Sequence, residues 1–324
     1  METVNKKRRR QLAVVTDGLA GNEAQALALA EAISRRVPVA LQTCSPQLSR
    51  WAETIPPGIL HSIGIARYGA DPKALPKSAE LIIGAGRRVA PLVAQLGKEK
   101  GVHAVQLMNP RMPFSAFEAV IAPQHDQVSG ENVLETVGAL TRLTPTKIAD
   151  AARSWQSRLR IRRPRVAVMV GGSSKSSGFG PSDAELLIRA LRALSESHGL
   201  MITTSRRTPQ ALCDELTKQF SSGHLVWTGG GDNPYPAILG LADYALVTAD
   251  SVNMASEAAS TGKPVFIFPI PGLAPKMKRF HAGLAATGAS RPYDGVIEPW
   301  TYTALAEADR AAGWLLGRLG WKHR

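Results

Sequence analysis

Short apolar runs alternate with helical segments along this chain, and the alternation stops once and then restarts. In the first half, QLAVVTDG, AELIIGAG, HAVQLMNP and FEAVIAPQHD each read as a strand closed by glycine, Asn-Pro or a polar end. Between them lie the Ala/Leu-rich NEAQALALAEAISRRV, with Pro38 just past its end, and RRVAPLVAQLGKEKG, which stops at Gly101. Strands alternating with helices require βαβ units, and βαβ units require a parallel sheet covered on both faces. The pattern is interrupted by ADAARSWQSRLRIRRPR, which carries six arginines between Arg153 and Arg165 and no strand signal before Val166. It then resumes with RVAVMVGG, LMITTSRR, HLVWTGGG, YALVTAD and KPVFIFPI as strands. A length of 324 residues favours two domains over one. The expected fold class is therefore α/β, with two tandem Rossmann-like, doubly wound parallel-sheet domains. Residues 1–150 form the first, 151–165 an arginine-rich linker, 166–296 the second, and the amphipathic tail PWTYTALAEADRAAGWLLGRLG a closing helix near 297–319 within 297–324.

Composition narrows the function classes. No run of about 18 apolar residues exists, so no membrane span is expected. The basic start METVNKKRRRQLAVV lacks the apolar region of a secretory signal and reads as a short flexible arm. Cys44 and Cys213 stand far apart, which suits a reducing, cytoplasmic compartment. The seven histidines form no ligand-type cluster, so no metal and no cofactor is expected. The net charge of +13 points to an anionic ligand, an anionic membrane surface or nucleic acid. Aromatics at 6% without a stacking motif speak against nucleic acid, and a phosphorylated small molecule fits better. The basic arm and the arginine-rich stretch would suit peripheral docking on an anionic membrane.

In open parallel sheets, ligands sit beyond the carboxyl ends of the strands, where the strand order reverses. The second half is rich in polar residues at those ends. The loop GGSSKSSGFG contributes Gly171, Gly172, Ser173, Ser174 and Lys175, where glycines allow backbone approach to a phosphate and hydroxyls donate to it. It is neither a P-loop nor G-x-G-x-x-G. TTSRRTP places Ser205, Arg206 and Arg207 at the next strand end, and arginine in a first helical turn opposes the dipole unless an anion is near. ADSVNMASEAASTGKPV sets Asp250, Ser251, Asn253, Ser256 and Glu257 within eight residues. Ser251 or Asn253 can cap a helix, and Glu257 is expected in its first turn. Capping accounts for one or two of these five residues. Ser182 with Glu185 is expected to form the capping box of the helix before LMITTSRR.

The Gly-Gly-Ser loop after the first strand of the second domain, followed by Ser251, Glu257-Ala258 and Gly262-Lys263-Pro264-Val265, resembles the nucleotide-sugar half of glycosyltransferases of the two-Rossmann B-type fold. That resemblance implies that Glu257 takes ribose hydroxyls, that the Gly/Ser loop takes a diphosphate, and that the closing helix packs back on the first domain. A closer likeness rests on TDGLAGNEAQ, APQHD, GENVLETVGAL, TTSRRTP, GDNPYPAILGLADYALVTADSVNMASEA and KRFHAGL. Together they resemble the mitochondrial fission family named for elongated mitochondria, over nearly the whole chain. Glu131 stands where proline is expected, a local departure at one turn.

Two functions follow as expectations. One is a glycosyltransferase-like protein that holds a nucleoside-diphosphate sugar between its domains and an unknown acceptor on the first. In it Asp17, His125 or Asp126 would act as general base, although each residue type also favours turns and caps. The other is a non-catalytic adaptor that recruits a division or membrane-remodelling partner. His281 is either a helix-face histidine or a group that reaches the site.

Overall fold

The computed structural model describes residues 9–63, 69–71, 75–172 and 179–321. The basic arm before Arg9 lies outside them. The chain divides into two compact units, 1–142 with 306–324, and 143–305.

The first unit contains β1 (Arg10–Thr16), α1 (Ala20–Ser34), β2 (Val39–Cys44), α2 (Arg50–Thr54), α3 (Pro57–Ile63), β3 (Leu81–Ala85), α4 (Ala90–Lys100), β4 (His103–Leu107), β5 (Ala119–Pro123) and β6 (Val133–Thr136). The strands form one parallel sheet in the order β2-β1-β3-β4-β5-β6. Successive strand residues point to opposite faces, and here both faces are buried. Leu12, Val14, Leu81, Ile83, Val105 and Ile121 pack under α1, whereas Ala13, Val15, Ile82, Ala104 and Val120 pack under α4 and Leu60 of α3. Gly101 closes α4 at φ +61°, a left-handed position that glycine adopts without strain.

The last helix, α11, spans Glu307–Arg318 and belongs to this first unit. Its buried residues Ala308, Ala311, Ala312, Leu315 and Leu316 recur at helical spacing, and they join the same core as Ala28, Leu29 and Ala32 of α1. Asp309 then pairs with Arg36 at 2.7 Å and Arg35 at 3.0 Å. Burying Leu315 and Leu316 is worth about 1.5–3 kcal/mol each. The expected helix start near 297 is ten residues too early. The segment before α11 instead lies along the second unit, where Tyr302 donates its hydroxyl to Lys263 O at 2.8 Å and Leu305 N donates to Ala259 O at 3.1 Å.

The second unit runs α5 (Pro145–Gln156), β7 (Arg165–Val170), α6 (Pro181–Ser197), β8 (Gly199–Thr204), α7 (Gln210–Phe220), β9 (Leu225–Trp227), α8 (Tyr235–Leu241), β10 (Tyr244–Thr248), α9 (Val252–Ala259), β11 (Val265–Phe268), α10 (Pro275–Ala286) and β12 (Ser290–Pro292). Its parallel sheet has the order β9-β8-β7-β10-β11-β12. Numbered within the unit this is 3-2-1-4-5-6, the doubly wound dinucleotide-binding order.

The arginine-rich stretch is not a free linker. Thr144 caps α5 by accepting from Lys147 N at 3.2 Å. The helix packs on α8 where Gly240 removes a side chain, since a Cβ there would lie 2.8 Å from both Ala152 Cβ and Ile148 O. Arg158 then pairs with Asp232 at 3.1 Å, Arg163 with Asp243, and Arg165 Nε donates to Ile161 O at 2.8 Å. These bonds fasten the stretch to its own unit. The capping of α6 also differs from expectation. Its cap is Gly180, whose N–H donates to the Asp183 carboxylate at 2.8 Å, because Pro181 opens the helix one residue before Ser182. No described helix is long and apolar enough to cross a membrane.

Candidate functional site

In the second sheet the strand order reverses between β7 and β10, so their carboxyl ends flank the switch point. Pairing of Val247 with Met169 brings the two ends level. Just past them, Gly171 N donates to Thr248 Oγ1 at 2.8 Å and Gly172 N donates to Asp250 Oδ2 at 2.7 Å. A Cβ on Gly171 would lie 2.0 Å from that carboxylate oxygen, and one on Gly172 would lie 2.1 Å from Arg207 O. The turn after β8 closes over the same glycines. The Thr208 hydroxyl lies 2.5 Å from Gly171 O and accepts from Ser205 N at 2.9 Å, and Arg207 N donates to Ser205 Oγ at 3.1 Å. Three strand ends are thereby tied together.

This geometry bears on two expectations. The amides of Gly171 and Gly172 donate inside the protein, and both glycines serve close packing. Arg206 and Arg207 precede α7, which starts at Gln210, so neither opposes a helix dipole. Arg206 is exposed, and Arg207 reaches Asp250 Oδ2 at 3.5 Å. Ser173, Ser174 and Lys175 lie outside the described residues.

Asp250 is the buried centre of the cluster, with a side chain 0% exposed. Its Oδ2 holds Gly172 and Arg207, while its buried Oδ1 has no hydrogen-bond partner among the described residues. Thr203 Oγ1, near the end of β8, and His281 Nδ1, on α10, are in the same condition. His281 Nε2 sits 2.7 Å from Ala249 O, so it carries the proton and leaves Nδ1 with the lone pair. Burial pushes this imidazole below its ordinary range, against the bond to Ala249 and the nearby charge of Asp250, and keeps it neutral. The histidine thus reaches a strand end. Buried polar groups are nearly always paired in native proteins. Asp250, Thr203 and His281 lie at or beside the ends of β8 and β10 and hold unspent hydrogen-bonding capacity among the described residues, as does Gln106 Oε1 in the first unit.

Ser251 caps α9, accepting from Met254 N at 3.3 Å. Ser256 donates back to Val252 O at 2.8 Å, and Asn253 is half-buried in the first turn. Glu257 is not in the first turn, as the sequence suggested. With Ser251 as cap it is the sixth residue of α9, beyond the region where the dipole acts strongly. What holds it is Tyr235, at the start of α8, whose hydroxyl donates to Glu257 Oε2. Burial pushes the Glu257 carboxyl up to about 7, and the bond from Tyr235 pulls in the opposite direction. Tyr235 and Thr208 were not among the residues expected at the site. Only the Asn-Pro-Tyr-Pro motif hinted that Tyr235 sits in an unusual backbone.

The first sheet reverses between β1 and β3. Asp17, just past β1, accepts from Asn22 Nδ2 at 3.0 Å on both oxygens and from Leu19 N at 3.2 Å. Gly86, just past β3, has φ +92°, and a Cβ there would lie 2.5 Å from Asn22 Nδ2. Asp17 also lines a cavity of about 370 Å³ with Ser45, Gln47 and Arg88. His125 and Asp126 are elsewhere along this edge. They form a turn after β5, three strands from β1, or about 14 Å at the usual strand spacing. His125 is buried, and Asp126 Oδ2 accepts from Asn109 N at 3.2 Å. The structure does not gather Asp17 and the His125–Asp126 pair into one constellation.

Comparison with solved structures finds the same B-type glycosyltransferase architecture. UDP-GlcNAc 2-epimerase from Methanocaldococcus jannaschii superposes with a TM-score of 0.56 at 10% identity, over 95% of this chain and 99% of that one. MurG from Acinetobacter baumannii gives a TM-score of 0.50 at 14% identity, over 96% and 91%. In sequence, the chain is 28% identical over 280 residues to the mitochondrial fission protein ELM1 of Arabidopsis thaliana, covering 75% of this chain and 65% of the plant protein. The chain therefore spans less than two thirds of that relative's length. The profile of the mitochondrial fission ELM1 family matches residues 20–319. The chain belongs to the mitochondrial fission ELM1 family.

Proposed function

We propose that the second unit binds the nucleoside diphosphate part of a nucleotide sugar at its switch point, and that the protein is a glycosyltransferase. The observation that carries this reading is the Arg207–Asp250 pair beside the Ser251-capped start of α9, with the Glu257 carboxylate in the second turn of the same helix. A diphosphate would meet the Arg207 guanidinium and the first amides of α9, which have no partner within the helix. A helix rises 1.5 Å per residue, so Glu257 lies about 9 Å along the axis from the cap. Its side chain leans back toward the helix start, where a ribose would follow the diphosphate. One of the two structural neighbours is named for UDP-GlcNAc, which supports this class of ligand.

In the transfer, the bond between the sugar C1 and the diphosphate oxygen breaks, and a bond from C1 to the acceptor oxygen forms. The acceptor proton passes to a base and the nucleoside diphosphate leaves. Arg207 and the α9 amides stabilise the charge on the leaving group. Asp17 is the carboxylate we assign as base, since besides closing its own turn it lines a cavity of the first unit.

A second reading has its own observation. Both oxygens of Asp17 are already held by Asn22, which suits a protein that binds a nucleotide without turning it over and acts as an adaptor. Thermal shift and calorimetry with UDP, ADP, GDP, CDP and their sugars test the shared step. Binding by the wild type and an affinity loss of about 1.5–3 kcal/mol in Glu257→Gln are expected. Failure of every nucleotide to bind would remove the reading. Asp17→Asn then separates the two functions: binding intact and transfer lost supports the enzyme.

A further inference from the structure

We infer that Tyr235 is the positioning residue that makes Glu257 a reader of ribose hydroxyls, so that the site distinguishes ribonucleotides from deoxyribonucleotides. The inference rests on the nucleotide reading above and deepens it.

Glu257 is held from outside its own helix. Lying in the second turn of α9, it is beyond the strong reach of the helix terminus, and its hydrogen-bonding partner is the Tyr235 hydroxyl from α8. Tyr235 is itself set in a stiff frame. Pro234 and Pro236 flank it, each with a fixed φ. Its N–H donates to Asn233 Oδ1 at 2.9 Å, and Pro234 is buried. The phenol is thus delivered from a rigid helix start, and not from a loop.

Two consequences follow for the carboxylate. With Oε2 engaged by the phenol, the rotation of the carboxyl group is fixed, and Oε1 is the oxygen left to accept from a ribose hydroxyl. Tyr235 also donates to the ionised form and so favours it, whereas burial alone pushes Glu257 toward the protonated acid. An ionised carboxylate only accepts hydrogen bonds, and a protonated one also donates. Without the phenol the group becomes a weaker and less directed acceptor. A site built to bond a hydroxyl rejects the analogue that lacks it, because the buried partner is left unpaired.

The test is a set of calorimetric titrations with UDP, ADP, GDP and CDP, each beside its 2′-deoxy and 3′-deoxy form, and with inorganic pyrophosphate. Wild type and Tyr235→Phe are compared. We expect the wild type to prefer a ribonucleotide by about tenfold or more, the worth of one hydrogen bond to a charged group. In Tyr235→Phe that preference should fall to about twofold or less, while pyrophosphate affinity is unchanged. A purely structural role for Tyr235 would lower all affinities together and leave the ratio alone, and that result would overturn the inference. Should Tyr235→Phe not fold, Tyr235→His, whose shorter ring stops short of Glu257, carries the same comparison and the same outcomes. Nucleotide binding with no ribose preference in the wild type overturns this inference and leaves the nucleotide reading standing. No nucleotide binding at all overturns both.

Discussion

The two switch points use one device with different outcomes. In each unit an aspartate past one central strand faces a glycine past its neighbour: Asp17 with Gly86 in the first, Asp250 with Gly171 and Gly172 in the second. In the first unit the carboxylate is half-exposed and Asn22 and Leu19 satisfy it. In the second it is fully buried, and among the described residues one of its oxygens has no donor. The first arrangement is a finished turn. The second binds three strand ends into a rigid edge and still holds unspent hydrogen-bonding capacity. Symmetry of fold does not carry symmetry of function.

That contrast can be broken in several ways. The largest effect should come from backbone approach. Gly172→Ala drives a methyl to 2.1 Å from a main-chain carbonyl, whereas Gly86→Ala meets the end of a flexible amide at a left-handed φ. We expect a loss of about 3 kcal/mol or more for the first and about 1–2 kcal/mol for the second. Urea unfolding of both variants checks this, and equal losses would erase the distinction.

The next effect is a pH dependence confined to the second unit. Folding raises the Glu257 carboxyl from 4.5 to about 7. The stability it contributes is therefore complete below about pH 4.5 and is lost as pH rises toward 7. Glu257→Gln cannot ionise and escapes that loss. The variant should gain on the wild type by about 2–3 kcal/mol between acid and neutral pH, read as a widening gap in Tm. A constant gap would mean that Glu257 is not perturbed.

The smallest effect concerns caps. Ser251 bonds the start of α9, but the corresponding cap of α1 is Leu19, which makes no side-chain bond and is 55% exposed. Ser251→Ala should cost about 1 kcal/mol, and Leu19→Ala close to nothing. Thermal melts of the two variants measure the difference directly.

The central strands were legible in the sequence because parallel strands buried on both faces appear as unbroken apolar runs. β2, β6 and β12 were not. Each sits at a sheet edge, and Val39–Cys44 mixes half-buried with exposed positions, so its pattern dissolves. The site was legible in part for a similar reason. Polar residues crowd the ends of central strands, and the topology gathers those ends. Their uses were harder to read. Ser251 and Ser256 serve α9 and Asp250 serves Gly172, so much of the polar run is structural. The bond from Tyr235 to Glu257 spans 22 residues, and the one from His281 to Ala249 spans 32. Such contacts depend on how helices pack over a sheet, and no local pattern encodes them.

Hydrogen–deuterium exchange of the whole protein, with and without a saturating nucleoside diphosphate from the UDP, ADP, GDP and CDP set, tests the central claim most directly. We expect protection at 205–208 and 250–258 in the second unit and unchanged exchange at 16–22 and 84–88 in the first. Protection of the first unit's switch point instead, or of neither, would contradict the assignment of the ligand to the edge built around Asp250.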